Sequence, residues 1–331
     1  SFETGLDVWL FDNKFNFDIT YYNSTLRNQF LYVSTANGES KPVNTGKIRN
    51  YGLEFSAGYR WNINHDWRWQ TGFNFAWNDN RILETYKTES GAPYIVEMGT
   101  NAFKIKYIEG GRYGDIYVNS FARDENGHIK INGAGDYENA VPVMESGKYE
   151  TYVGNTTSPV TLGWNNTFSW KNFNLYFLID GRIGGKVMSL TEPDLDLFGL
   201  SERSAHDRLK GERVTQNGKE YVLKELPDGS GNKVPVENYY TTIGAYPMED
   251  HVYNATNLRM RDISLSYNFS NLLGKNTGLT AQFSIKNAFF IYKDSPIDPD
   301  ISVSAANGYS GIDCYSLPTT RSYALTLKFN F

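Results

Sequence analysis

The amino-acid sequence predicts an all-β protein: nine strands of a transmembrane antiparallel β-barrel, joined alternately by short turns and long loops. Three observations carry this expectation. Apolar and polar residues alternate with period two along most of the proposed strands, which separates them onto two faces of an extended chain and not of a helix, whose period is 3.6. The strands are long, several exceeding ten residues, as a tilted strand crossing a bilayer requires. Short and long connections alternate strictly, as they do when turns lie on one side of a membrane and loops on the other.

The strands follow in order. The first, 2–11, is the least regular: Leu6, Val8 and Leu10 share a face, but Trp9 and Phe11 fall on the supposed polar one. In the second, 15–32, Phe15, Phe17, Ile19 and Tyr21 alternate with Asn16, Asp18 and Thr20. In the third, 47–63, Leu53, Phe55, Ala57, Tyr59 and Trp61 oppose Glu54, Ser56, Gly58, Arg60 and Asn62. The fourth, 66–82, sets Trp67, Trp69, Thr71, Phe73, Phe75 and Trp77 against Arg68, Gln70, Gly72, Asn74 and Asn78. The fifth, 159–170, carries Leu162, Trp164 and Phe168 on one face, and the sixth, 173–186, carries Phe173, Leu175, Phe177 and Ile179. The seventh, 256–269, has Ile263, Leu265, Tyr267 and Phe269. The eighth, 278–292, has Leu279, Ala281, Phe283 and Ile285. The ninth, 318–331, is the clearest: Tyr323, Leu325, Leu327, Phe329 and Phe331 oppose Ser322, Ala324, Thr326, Lys328 and Asn330.

Short turns are expected at 12–14, 64–65, 171–172 and 270–277, and long loops at 33–46, 83–158, 187–255 and 293–317. Trp61, Trp67, Trp69, Trp170, Phe173, Phe11 and Phe15 flank the short turns, where a girdle of amphipathic rings at the headgroup level would lie. With the short turns periplasmic, the first and ninth strands both run inward. The chain then starts outside with an odd number of strands, so its first strand is expected to pair with an earlier one of a longer polypeptide. Ser1–Gly5 has no basic start and no apolar stretch of a signal peptide.

Composition agrees and excludes other classes. Among 331 residues, aromatics make up 15% and charged residues 21%. Mean hydropathy is -0.51, too polar for a bundle of membrane helices. A barrel wall averages out polar because half its side chains face the lumen. Net charge is -5 without a basic stripe, so nucleic acid is not an expected partner. The single cysteine, Cys314, forms no internal disulfide and belongs to no zinc spacing.

Several stretches resemble one family. These are Asn44–Glu54 (NTGKIRNYGLE), Tyr113–Tyr117 (YGDIY) with Asp124–Gly127 (DENG), Asn257–Tyr267 (NLRMRDISLSY), Ile285–Phe289 (IKNAF) with Ile297–Asp300 (IDPD), and Pro318–Arg321 (PTTR) leading to a terminal Phe. In this order they resemble the C-terminal barrel half of SusC-like TonB-dependent outer-membrane transporters of the Bacteroidetes. Two departures occur: Asn287–Ala288 where Asn-Leu is usual, and Asp298–Pro299–Asp300 where Asp-Pro-Glu is commoner. The resemblance implies that 1–331 is the C-terminal portion of a 22-stranded plugged barrel, with plug and earlier strands outside this chain. It also implies a SusD-like surface lipoprotein as lid, TonB as the source of energy through the plug region, and import of a glycan or peptide nutrient.

No catalytic motif occurs. His65, His128, His206 and His251 are scattered, with no HExxH, GxSxG, P-loop or GxGxxG, so neither an enzyme nor a cofactor is expected. Asp294, Asp298 and Asp300 gather carboxylates near two prolines, but without EF-hand spacing they read as a rigid loop. Asp124–Gly127 reads as a turn. Loop residues suited to stacking on sugars or peptide side chains, or to binding hydroxyls, are Tyr113, Asp115, Tyr117, Tyr239, Tyr240, Tyr309, Asp313 and Tyr315. Arg259 and Arg261 share parity with Ile263 and Leu265, which predicts outward arginines near the outer rim, placed for lipopolysaccharide phosphates. Phe331, with Phe329, resembles the terminal signal read by barrel-assembly machinery. Two rival readings are a passive porin or autotransporter barrel, against which the long loops speak, and a soluble β-rich carbohydrate-binding protein or glycosidase, whose strands would be shorter.

Overall fold

The computed structural model describes residues 1–34, 40–88, 90–145, 147–244, 249–270, 277–303 and 310–330. Nine strands form one antiparallel sheet in sequence order: β1 (Phe2–Leu10), β2 (Phe15–Ser34), β3 (Ser40–Asn62), β4 (Trp67–Glu84), β5 (Val160–Trp170), β6 (Phe173–Ile183), β7 (Asn257–Ser270), β8 (Gly278–Lys293) and β9 (Ser322–Asn330). Each pairs with the next, so the sheet is a meander.

Register keeps the apolar parity aligned from strand to strand. Phe17, Ala57, Phe73 and Trp164 are successive partners, as are Leu175, Leu265, Phe283 and Leu325. A one-residue slip at any pairing would send a whole strand's apolar set to the other face, so the alternation itself fixes the register. The apolar face is open to its surroundings: Leu265, Phe283, Leu325 and Leu327 are all at least 48% exposed. Near the short turns its rings touch in a chain, Trp67 on Trp170 at 5.5 Å, Trp170 on Phe173 at 6.0 Å and Phe173 on Tyr267 at 4.6 Å. This is the girdle that the tryptophan spacing predicts.

Four features depart from the sequence-based expectation. The connection expected at 33–46 is largely strand: β2 and β3 stay paired up to Ser34 and Ser40. This extension lies beyond the last apolar row, so alternation does not mark it. The sixth strand stops at Ile183, not 186, because Gly184 and Gly185 both take positive φ (76° and 79°) and turn the chain out of the wall. The ninth begins at Ser322 rather than 318. Arg259 and Arg261 point inward, not to the outer rim. Leu178 pairs with Asp262 and the next residue, Ile179, with Met260, so Arg261 is an extra, bulged residue and every side chain before it changes face.

Among the described residues the buried cores lie chiefly in the loops, one of them closing on Ile82 of β4. One contains Ile105, Ile116, Val118, Met188 and Ile312, and the other Phe121, Leu226, Val234, Tyr239, Tyr240 and Ile243. The 83–158 loop builds a four-stranded sheet from Val96–Gly99, Lys104–Tyr107, Asp115–Val118 and Thr151–Asn155. The 187–255 loop carries the short helices α1 (Glu192–Leu197), α2 (Glu202–Lys210) and α3 (Val236–Gly244). Strand Lys186–Ser189 pairs antiparallel with Val252–Asn254 and parallel with Ile312–Asp313, binding this loop to 293–317.

Candidate functional site

Where the wall meets the loops, the arginine bulge builds an ionic cluster. Arg259, 1% exposed, donates to Asp298 Oδ1 at 2.7 Å and to Thr319 Oγ1 at 3.0 Å, and stands 3.2 Å from Asp300 Oδ2. Its guanidinium carbon lies 3.8 Å from the centre of the Phe290 ring. Arg261 donates to Asp180 at 2.6 Å, Asp300 at 2.7 Å and Asn287 at 3.0 Å. Arg182 lies 3.4 Å from Asp300. Three arginines thus face three aspartates, and a buried charge is tolerated when it is paired and hydrogen-bonded. Burial pushes the Asp298 carboxyl up, but hydrogen bonds from Thr319 and the Asp300 N–H, with the Arg259 charge, hold it below its ordinary value. The carboxylates of Asp298 and Asp300 therefore serve arginines. A cleft of about 570 Å³ opens beside them, lined by Arg259, Asn287, Asp313, Thr319 and Arg321 among others.

A second buried node lies in the 187–255 loop. Asp196, fully buried, accepts from Ser201 Oγ at 2.6 Å and lies 2.8 Å from His251 Nε2; it also pairs closely with Arg203. Burial raises the carboxyl, and the contacts to His251, Arg203 and Ser201 outweigh it, bringing it down to about 2. Burial conversely pushes the Tyr239 and Tyr240 phenols up.

The residues expected to meet a ligand divide into two groups. Tyr239 and Tyr240 are core residues of α3, 2% and 3% exposed, with hydroxyls donating to Asp250 and Asp207 at 2.7 Å. Asp115 is buried and accepts from the Arg112 N–H at 2.8 Å and Asn155 Nδ2 at 2.9 Å. Asp313 is buried and accepts from Ser189 Oγ at 2.9 Å. These four hold the loops together; their polar atoms are occupied and turned away from solvent. Tyr113 stacks on Tyr107 at 4.6 Å and lines a cleft of about 390 Å³ with Gln29, Glu84 and Met98. Tyr117 is half-buried against Tyr152, with Lys106 Nζ 5.4 Å from its ring centre. Tyr315 is 64% exposed. Tyr309 and Phe331 lie outside the described residues, while Phe329 stands on the apolar face opposite Leu279. Asp124 forms the expected turn, accepting from the N–H groups of Asn126 and His128 at 2.9 Å.

Sequence reasoning missed the roles of Arg259, Arg261 and His251. One signal was available for the arginines: Arg-x-Arg at 259–261 matches the spacing of Asp-x-Asp at 298–300. The groups meeting at the clefts are hydrogen-bonding side chains and aromatic or aliphatic faces.

Residues 1–180 match the family described as TonB dependent receptor-like, beta-barrel. Across 99% of its length the chain is 24% identical to TonB-dependent receptor P3 of Formosa agariphila, covering 34% of that protein. Across 100% of its length it is 23% identical to TonB-dependent receptor SusC of Bacteroides thetaiotaomicron, covering 32% of it. The chain therefore spans about a third of the length of these relatives. The solved structure of the RagAB peptide transporter superposes on 98% of the chain with a TM-score of 0.70 at 18% identity, covering 34% of that chain. The RagAB importer in its open-open state gives 0.66 at 18% identity, covering 99% of this chain and 34% of that one. The two-faced wall, the girdle and these matches agree: the chain belongs to the TonB-dependent receptor β-barrel family, is SusC-like, and is an outer-membrane protein.

Proposed function

We propose that the chain is the C-terminal wall and loop assembly of a 22-stranded importer that takes up a glycan or peptide too large for a porin. In this reading a plug in the same polypeptide couples to TonB, and a SusD-like surface lipoprotein covers the loop side. The carrying observation is asymmetry. One end of the wall has short turns, and the other carries loops with their own buried cores. Loops that fold this extensively present a defined binding surface on a rigid scaffold, which a passive pore does not need. The name of the superposed RagAB transporter supports a peptide, and likeness to SusC supports the lipoprotein partnership. Tyr113, Tyr117 and Tyr315 are the proposed aromatic contacts, and Phe329 with Phe331 the proposed assembly signal.

The test is uptake by cells carrying the full-length transporter, with labelled oligosaccharides and labelled peptides offered separately. Uptake of one class should stop when TonB or the neighbouring lipoprotein is removed. Uptake that continues without TonB would refute active import, and uptake of neither class would refute the substrate assignment.

A further inference from the structure

The outward face changes character at one level across three adjacent strands. On β4 the outward residues from the turn upward are Trp67, Trp69, Thr71, Phe73, Phe75 and Trp77, followed by Asp79 and Arg81. Registered beside them, Tyr21, Leu53 and Trp77 form the last apolar row, Asn23, Tyr51 and Asp79 the next, and Thr25, Arg49 and Arg81 the one above. From Trp67 to Trp77 is ten residues, about 33 Å along the strand and about 25 Å along the membrane normal at a tilt of about 40°. That is the height of an apolar barrel belt, so Asp79 and Arg81 stand within about 10 Å above it, at headgroup depth.

At this level cations outnumber anions. Asp79 is buried beneath its neighbours and accepts from the Tyr51 hydroxyl at 2.8 Å. Arg112 Nε lies 2.6 Å from it and Arg81 Nε 4.0 Å. Arg112 is brought there because the chain at Gly110 and Gly111 pairs with Ile82, continuing the wall beside β4. Arg49 donates to Asn23 Oδ1 at 3.0 Å and lies over the Tyr51 ring at 4.9 Å. Arg81 donates to the Gly110 carbonyl at 3.1 Å, and its side chain remains 46% exposed. Three guanidinium groups therefore stand at this level against two carboxylates, Asp79 and the buried Asp115 that accepts from the Arg112 N–H, a surplus of one positive charge, held by tyrosine, asparagine and backbone and turned away from the lumen. Planar guanidinium forks match phosphate oxygens.

We propose that Arg49, Arg81 and Arg112 form a site for the phosphate-bearing headgroup of an outer-leaflet lipid. The proposal rests on the outer-membrane placement of the wall and is independent of what the transporter imports. Its outward aim at headgroup depth favours a lipid over an acidic protein. The expected position of lipid-binding arginines, at 259 and 261, was wrong because the bulge turns that pair inward; Arg49 and Arg81 have outward parity with no bulge between them and the apolar belt.

The test uses the full-length transporter in mild detergent, with lipid A, its dephosphorylated form and inorganic phosphate as probes and native mass spectrometry as the readout. The wild type should retain lipid A, and Arg49→Gln/Arg81→Gln should retain about tenfold less. Arg68→Gln, on the inner face, should leave retention unchanged, and heat-modifiable gel mobility should report all variants folded. Equal retention of dephosphorylated lipid, an unchanged double variant, displacement by inorganic phosphate at equal concentration, or binding of an acidic protein in place of lipid would each overturn the proposal.

Discussion

Replacing Phe73 by arginine tests the face assignment at its most demanding point. Phe73 lies six residues above Trp67 and four below Trp77 in the outward column of β4. At about 3.3 Å per residue and a tilt of about 40°, these steps place it about 15 Å and 10 Å from the two edges of the belt. An arginine side chain reaches about 6 Å, too short to bring its charge to either interface by snorkelling. The cost should therefore approach the midplane value of about 2–4 kcal/mol, a fall of about 30- to 1,000-fold in the folded-to-unfolded ratio. Asn74, the next residue, faces inward between Ser56 and Gly163. A Cβ built on Gly163 meets nothing within 4 Å, so the inner side has room. Asn74→Arg should change stability by no more than about 0.5 kcal/mol. Urea titration of the full-length protein in vesicles, read by heat-modifiable gel mobility, measures both. The same contrast should hold for Leu327→Arg, on the apolar face of β9, and Thr326→Arg, on its other face. Equal destabilisation within either pair, or a larger effect at the inner residue, would refute the reasoning.

Three further outcomes follow from the loops. Arg259→Met should cost about 3–5 kcal/mol locally by leaving Asp298 buried without its guanidinium; hydrogen exchange should show lost protection in 293–303, restored in part by adding Asp298→Leu. Tyr240→Phe removes one hydrogen bond to Asp207 and should cost about 1–2 kcal/mol with no loss of substrate affinity; a large affinity loss with unchanged exchange would return Tyr240 to the binding surface. Asp196 has a carboxyl depressed from 3.8 to about 2, so its stabilisation is complete above about pH 4 and is lost as pH falls from there towards 2. Exchange in 187–244 should rise over that window by about 2 kcal/mol, and Asp196→Asn should flatten the rise.

The wall was legible because a membrane strand obeys one rule for its whole length. Phe73 must meet hydrocarbon and Asn74 must not, and that repeats down β4 without regard to distant contacts. The rule fails where the chain leaves the bilayer. Beyond Tyr21 and Leu53 nothing forces alternation, so the paired extension of β2 and β3 reads as loop. It fails again at Arg261, because a bulge adds one residue and leaves no mark in composition. The loop side chains were misread for a different reason. Tyr239 and Tyr240 share a helix with Val236 and Ile243, and only the packing of 121–144 and 222–234 against that helix makes them core. Tyrosine chemistry suits both a sugar face and a core with a hydrogen-bonded hydroxyl, and sequence alone does not choose between them.

The placement of the arginine cluster follows from the different solvents on the two sides of the wall. Side chains on the outer face gain little from one another, because lipid is as apolar as they are. Strand pairing and the surrounding bilayer must hold the wall, whereas the loops face water and are stabilised by burying their own cores. The junction between two such parts is apolar in one place, where Ile82 of β4 packs with Phe103 and Ile105 of the 83–158 loop, and ionic in another. Arg259 and Arg261, turned inward by the bulge, make the ionic one: their aspartates come from the loop at 298 and 300 and from the neighbouring strand at 180. A buried guanidinium left without its carboxylates would be strongly disfavoured, so this pairing fixes the 293–303 segment against the inner face of the wall. The bulge thus carries two charges from the lipid-facing side of the wall to its inner side, where the aspartates of the loop meet them.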